Sequence, residues 1–220
     1  MNLARTTGLV LRIRPLTETS LIVQWLTRDF GRLATVAKGA RRPKSPFRGQ
    51  LDLFYLTDLS FARSSRSALH TLREARLLDS HAGLRSELIY LQQASYCAAL
   101  IEQTAEPEAP MPAVFESFRG LLDHLSKHPA RPQTIFAFEM KWLEELGLTP
   151  RLADARLTPG ARQILERLLG MDWPEIFQLR LSGAQVTELR LFLHGFIVHH
   201  LDRIPRGRTS ALGGEQNETS

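Results

Sequence analysis

The sequence has very little cysteine and no long hydrophobic segment. Cys97 is the single cysteine among 220 residues, so an intramolecular disulfide and zinc sites built on several thiolates are excluded. Charged or polar residues interrupt every apolar run before the roughly 20 residues that a membrane-spanning helix needs. The first residues lack the apolar core of a signal peptide, so they predict a first strand and a cytoplasmic protein.

The signatures of common enzymes are also missing. The chain has no Walker loop, no GxGxxG fingerprint and no GxSxG elbow. His194 and His199 are five residues apart, whereas a spacing of four aligns two imidazoles on one helical face, so we expect no metal site. The adjacent carboxylates of Glu144 and Glu145 would diverge on a helix. We therefore expect a protein that is not an enzyme and holds no cofactor.

Positive charge is concentrated in the first third of the chain. Residues 1–78 contain 14 basic and 5 acidic residues, whereas residues 79–220 contain 14 basic and 18 acidic residues. Between Asp29 and Asp52 there are six cations and no acid. Opposite charges in two parts of a chain suggest two modules, a basic one that binds a polyanion and a second one that binds protein.

Residues 38–49, with the sequence KGARRPKSPFRG, combine most of these cations with glycine and proline. Glycine and proline exclude a regular helix and predict an exposed loop between strands. Such a loop can follow a phosphate backbone, although a solvated basic surface without a ligand is the alternative. The predicted phosphate ligands are Lys38, Arg41, Arg42, Lys44 and Arg48, with Arg12 and Arg14 as secondary contacts and Phe47 as the aromatic ring that stacks on a base.

Hydropathy alternates with a period of two up to about Leu78. This pattern predicts strands over residues 9–13, 21–26, 33–38, 51–61 and 68–73. Five strands in about seventy residues fit a small closed barrel of the oligonucleotide/oligosaccharide-binding (OB) type or of the SH3-like type. Trp25 is in phase with Leu21 and Val23, which predicts that it is buried.

From about Ser80 the hydrophobic period becomes helical. Helices are predicted over residues 83–104, 115–125, 133–146, 158–169 and 185–201. Residues 213–220 contain no apolar side chain and are predicted to be disordered. The predicted fold class is α+β, with an N-terminal five-stranded barrel over residues 1–79, an all-α domain over residues 80–212 and a tail over residues 213–220.

Several segments resemble the RecO family of bacterial recombination mediators. ETSLIV (18–23), LTRDFG (26–31) and AKGARRPKS (37–45) are similar to the N-terminal barrel signature of that family. FEMKWLEELGLTP (138–150) resembles the stretch before its zinc-binding loop, and LRLFL (189–193), HHL (199–201) and RTS (208–210) resemble its closing helix. Many members have four cysteines after Leu-Gly-x-x-Pro, but residues 151–159 contain none, so no metal is carried over.

The resemblance implies an OB-fold barrel and a role in DNA repair, at the nucleoid. Family members bind single- and double-stranded DNA, anneal complementary strands and, with RecR, help RecA to load onto DNA coated with single-strand-binding protein (SSB). They also bind the acidic, hydrophobic-ended tail of SSB on the helical domain, where Lys141 and Arg131 are candidate carboxylate partners in this chain. The alternative is an OB-fold adaptor that binds RNA or protein as a scaffold.

Overall fold

Five strands form a closed barrel in the first part of the chain. The computed structural model describes residues 3–213 apart from the side chain of Asp154, so the tail predicted over residues 213–220 lies outside the described residues except for Gly213. The strands are β1 (Leu3–Pro15), β2 (Leu21–Thr27), β3 (Gly31–Ala37), β4 (Leu56–Ala62) and β5 (Leu69–Asp79). Their order around the barrel is β1-β2-β3-β5-β4. The barrel is an OB fold, as predicted.

The strands pair with their neighbours in a mostly antiparallel sheet. All neighbouring pairs are antiparallel except β3 and β5, which pair in parallel over Ala34–Val36 and Leu69–Thr71 alone. Side chains that point inward from the strands form the barrel core, which includes Val23, Trp25 and Phe61. Trp25 is fully buried, as predicted, and its indole nitrogen donates a hydrogen bond of 2.9 Å to the Thr35 hydroxyl.

The strand predicted over residues 51–61 is wrong in its first half. Residues 51–55 form turns, and β4 begins only at Leu56. Phe54 has a positive φ of 64°, and its backbone nitrogen donates to the Val10 carbonyl. The alternating pattern misled the prediction because Leu51, Leu53 and Tyr55 have the spacing of a strand, although Leu53 is exposed and the buried side chain is that of Phe54.

The remaining regular elements are helical. The α-helices are α1 (Leu88–Thr104), α2 (Pro112–Leu125), α3 (Pro132–Glu145), α4 (Pro159–Gly170), α5 (Trp173–Gln178), α6 (Gly183–Leu201) and α7 (Arg208–Ala211), with 3₁₀ turns at Ala82–Arg85 and Leu152–Asp154. The five predicted helices are present, but α1 begins five residues later than predicted because the 3₁₀ turn precedes it. The sequence did not predict α5 or α7, which are too short for a clear helical period. Within the described residues, no helix is long and apolar enough to cross a membrane.

The chain divides into two compact units. The first contains the barrel up to Ala82 together with Ala105–Arg119, and the second contains Gly83–Thr104 and the residues from Gly120 onward. That residues 105–119 pack with the barrel could not be predicted from the sequence, because they combine a proline-containing linker with the start of a helix.

A buried ion pair lies at the centre of the helical unit. The Arg208 guanidinium on α7 donates to both carboxylate oxygens of Glu139 on α3, at 2.6 and 2.9 Å. The Tyr96 hydroxyl on α1 donates to the same carboxylate at 2.6 Å. Burial and the neighbouring Glu139 raise the pKa of Tyr96, so the phenol remains a donor. The adjacent Cys97 is fully buried and burial raises the pKa of its thiol, as expected for a core residue.

Candidate nucleic-acid interface

The basic loop, residues 38–48, leaves the barrel at the end of β3. It is a series of consecutive turns, because the backbone nitrogens of Arg42, Ser45 and Arg48 each donate to the carbonyl three residues earlier. Gly39, with a positive φ of 71°, is a central residue of the preceding turn, in which the Ala40 backbone nitrogen donates to the Ala37 carbonyl at 3.3 Å. The prediction of an exposed loop between strands is therefore confirmed.

Phe47 attaches this loop to the barrel, which corrects the prediction that its ring stacks on a base. The side chain is only 7% exposed and belongs to the barrel core with Val10 and Trp25. The ring is buried because it packs into the barrel core, against which Leu51 and Tyr55 also pack. An aromatic residue inside a basic segment is thus part of the core here.

Arg41 attaches the loop at a second point. Its guanidinium donates to the carbonyl of Thr17 at 3.1 Å, and its backbone nitrogen donates to the carbonyl of Thr19 at 3.0 Å. Both carbonyls belong to the turn between β1 and β2. Arg41 therefore holds the loop against that turn, and only part of its guanidinium is available to a ligand.

The other cations of the loop are exposed and unneutralised. Within residues 3–213, the side chains of Lys38, Arg42 and Lys44 have no hydrogen-bond or ion-pair partner. Arg48 makes only a long contact of 3.5 Å from its guanidinium to the Pro43 carbonyl. Because the loop contains no acid, these charges add to one local positive potential.

Several arginines elsewhere on the barrel unit are paired with acids. Arg5 and Arg76 share Asp58, and the Arg5 hydrogen bond in particular holds the pKa of Asp58 below its usual value. Arg28 lies 3.6 Å from Glu116, and Arg63 lies 2.6 Å from Glu108. The positive charge of this unit is therefore neutralised locally at these places and left free at the basic loop.

Arg12 and Arg14 lie at the same end of the barrel as the basic loop. Both are exposed near the end of β1, where Arg14 is opposite Ile22 of β2. Leu21 at the start of β2 is opposite Ala37, the last residue before the loop. The structure thus brings the secondary cations of the sequence prediction to the side of the barrel from which the primary ones project.

Arg131 and Lys141 are not brought together. They lie ten residues apart along α3, about 15 Å at 1.5 Å per residue, with Arg131 as the N-cap. The Lys141 ammonium donates to the Leu169 carbonyl in the last turn of α4 at 2.8 Å, and burial lowers its pKa. Lys141 therefore stabilises the end of α4, a role that only the packing of two helices reveals.

The fold and the site define a class of protein, an OB barrel that carries a free basic loop and is followed by a helical unit. Residues 1–81 match the family described as Recombination protein O N terminal, and residues 85–156 match Recombination protein O C terminal. The chain belongs to the RecO family.

Similar proteins share much of the chain. A DNA repair protein RecO from Symbiobacterium thermophilum is 28% identical over 92% of this chain and 94% of its own length. Proteins of the same name from Bacillus subtilis and a Cyanothece species are each 32% identical, over 68% and 84% of this chain. The matched regions cover 58% and 62% of the length of those two relatives.

Proposed function

We propose that this protein is a DNA repair protein of the recombination-mediator type. In this proposal it binds single- and double-stranded DNA, anneals complementary strands and, with RecR, helps RecA to load onto SSB-coated single strands. The observation that carries the proposal is the group of exposed, unpaired cations at Lys38, Arg42 and Lys44 on an OB barrel of a RecO-family chain.

The basic loop suits a phosphate backbone better than a particular base sequence. Its lysine and arginine side chains release counterions when they contact phosphates, and such contacts carry no sequence information. Phosphates occur equally in single strands and duplexes, so one loop can bind both. Because the turns and the buried Phe47 fix the backbone of the loop, little conformational entropy is lost when DNA binds.

Strand annealing requires no catalytic group in this proposal. Two complementary strands repel each other through their phosphates, and a surface with local excess of positive charge lowers that repulsion. Lys38, Arg42 and Lys44 supply such an excess, since the loop has no acid of its own. Base pairing then provides the free energy, so neither ATP nor a metal is needed.

The SSB tail is proposed to bind the helical unit through Arg131. The Arg131 side chain has no partner within the described part of the chain, whereas the Lys141 ammonium already binds the Leu169 carbonyl. A peptide carboxylate at Arg131 would therefore form a charge-assisted hydrogen bond without displacing an existing one. Arg131→Ala should weaken binding of an SSB-tail peptide more than Lys141→Ala does, as fluorescence anisotropy can measure.

The experiment that tests DNA binding compares two variants with equal loss of charge. The loop variant is Lys38→Gln/Arg42→Gln/Lys44→Gln. The control variant replaces three exposed arginines of the helical unit, Arg156→Gln/Arg167→Gln/Arg180→Gln. A fluorescent single-stranded oligonucleotide is titrated with each protein, and a complementary strand is then added to follow annealing.

The loop variant should bind the oligonucleotide more weakly by more than about tenfold at 0.15 M salt and anneal slowly. The control variant should behave like the wild type. Equal losses in both variants would indicate an effect of net charge rather than a site at the loop. A wild-type protein that binds no DNA would favour the protein-adaptor hypothesis, and a preference for RNA would favour an RNA partner.

A further inference from the structure

A short segment of the chain lies along the barrel at the start of β3. We call residues 105–111, with the sequence AEPEAPM, the strap. The Arg32 guanidinium donates to the Ala105 carbonyl at 3.1 Å, and the Glu108 backbone nitrogen donates to the Arg32 carbonyl at 2.8 Å. Pro107 and Pro110 have no backbone N–H, so the strap offers few donors to the barrel.

The strap places a carboxylate between two basic side chains of the barrel. Glu108 accepts a hydrogen bond of 2.6 Å from the Arg63 guanidinium, and its other oxygen lies 3.2 Å from Nε2 of His70. The imidazole is 2% exposed, and its Nδ1 accepts from the Ser64 backbone nitrogen at 3.1 Å. Nε2 therefore carries the proton, and it lies close to Glu108 but has no hydrogen-bond partner among the described residues.

An aromatic ring lies beside this carboxylate. The guanidinium carbon of Arg63 is 5.7 Å from the centre of the Phe30 ring, which is partly exposed. Phe61 supports the Phe30 ring edge-on, with ring centres 5.6 Å apart. A cation next to a supported aromatic ring is the combination that single-stranded nucleic-acid sites use, the cation for phosphate and the ring for a base.

The backbone of Glu108 is strained. Its φ is 58°, in the left-handed region that side chains other than those of asparagine and aspartate rarely adopt. This strain weakens the attachment of the strap, because the Glu108 backbone can relax once the strap leaves the barrel. The contact between Glu108 and Arg63 is therefore one that a competing anion can replace.

We propose that Arg63, His70 and Phe30 form a second DNA subsite on the barrel, which Glu108 occupies as an internal mimic of phosphate. The ligand is a phosphate of single-stranded DNA whose adjacent base stacks on Phe30. The inference rests on the proposed function, since it assumes that the barrel binds DNA. Phe30 directly precedes the seven-residue β3 and the basic loop follows it, about 20 Å away along the strand, while His70 pairs with Thr35 between them, and an OB fold binds about 4–16 nucleotides. One strand can therefore contact both.

The test removes the charge of Glu108 and, as a control, that of Glu116. Glu116 is a similarly exposed carboxylate of the same unit, and it pairs with Arg28 and Arg119. Glu108→Gln should raise the affinity for a single-stranded oligonucleotide about three- to tenfold and make the salt dependence steeper by about 0.7 in log K against log salt. Glu116→Gln should change the affinity by less than about twofold, because it uncovers no aromatic ring.

A double variant decides whether the gain arises at the proposed subsite. Glu108→Gln/Arg63→Gln should bind as the wild type does, and Arg63→Gln alone should have little effect, since Glu108 already occupies its guanidinium. A gain that persists in the double variant, or an equal gain in Glu116→Gln, would overturn the inference. Glu108→Asn is the second variant if Glu108→Gln does not fold, because asparagine tolerates a positive φ.

The same titrations separate this inference from the proposed function. If the wild type binds DNA through the basic loop and Glu108→Gln changes nothing, the subsite is wrong and the proposed function stands. If no variant binds DNA at all, the proposed function is wrong, and the inference is wrong with it.

Discussion

Arg41 and Arg42 are neighbours in the sequence but have different roles in the structure. The Arg41 guanidinium binds the Thr17 carbonyl, whereas the Arg42 side chain projects from the loop without a partner in the described part of the chain. The sequence could not separate them, because which of two adjacent side chains faces the protein depends on the direction of the turn. Counting the cations in the sequence of the basic loop therefore overstates the number of side chains that are free to bind a ligand.

The buried pair of Arg208 and Glu139 gives a prediction on stability. Arg208→Met should lower the free energy of unfolding by about 3–5 kcal/mol, because it leaves the fully buried Glu139 carboxylate without its charge partner. Chemical denaturation followed by circular dichroism measures this value. The control Arg206→Met, at an exposed position, should cost less than about 0.5 kcal/mol. Equal effects of the two substitutions would contradict a structural role for the ion pair.

His124 gives a prediction on pH dependence. The ring packs against His128 and Phe177, and its Nε2 is buried without a hydrogen-bond partner within residues 3–213. Burial, followed by the nearby charges of His128 and Lys127, lowers the pKa of His124 to about 4, although Asp172 acts in the opposite direction. The folded protein therefore keeps this ring neutral at a pH where the unfolded chain protonates it.

The protein should consequently lose stability as the pH falls from about 6.5 towards 4, because the unfolded state binds a proton that the folded state does not. His124→Phe should make the loss smaller. Melting temperatures of the wild type and the variant at pH 7 and at pH 4.5 measure the difference. Parallel curves for the two proteins would show that His124 does not contribute to the pH dependence.

At the scale of elements, contacts with the barrel fix the backbone of the basic loop, which the composition of the loop alone does not. Phe47 is in the barrel core and Arg41 is bound to the β1–β2 turn, so the loop has a fixed backbone that presents the other cations. The exposed loop could be located from the sequence, since glycine, proline and charge are local properties. The sequence did not identify the attachment points, because these depend on contacts with strands that are distant in the chain.

The burial of Phe47 leads to a prediction that separates packing from base stacking. Phe47→Leu should leave the DNA affinity within about twofold, because a buried ring does not contact a base. A ring that stacks on a base would instead contribute about 1–3 kcal/mol to binding. Phe47→Ala should lower the stability of the protein by about 3–5 kcal/mol, because it leaves a cavity in the barrel core. Oligonucleotide titrations and thermal melts of both variants measure these effects.

The contrast between local sequence patterns and contacts with distant residues also explains which other elements could be predicted. Strand β3 has alternating burial and could be located from its period. The strap could not, because its link to the barrel consists of single contacts such as those of Arg32 with Ala105 and Glu108. Such contacts leave no repeating pattern in the sequence.

At the scale of the whole molecule, the charge asymmetry of the sequence has a structural counterpart. The first 78 residues carry most of the excess positive charge, and the structure pairs several arginines there with acids while the basic loop remains free. Composition alone located the excess positive charge in the first part of the chain, but it could not predict which of the cations there have no acidic partner. That distinction follows from the ion pairs, which only the folded chain forms.

The central claim is that the free cations of the basic loop contact phosphates directly, and the salt dependence of binding tests it most directly. The measurement is the slope of log K against log salt for a single-stranded oligonucleotide, for the wild type and for Lys38→Gln/Arg42→Gln/Lys44→Gln. Three lost phosphate contacts should make the slope shallower by about 2. An unchanged slope in the variant would contradict the claim, because it would mean that DNA binds elsewhere on the protein.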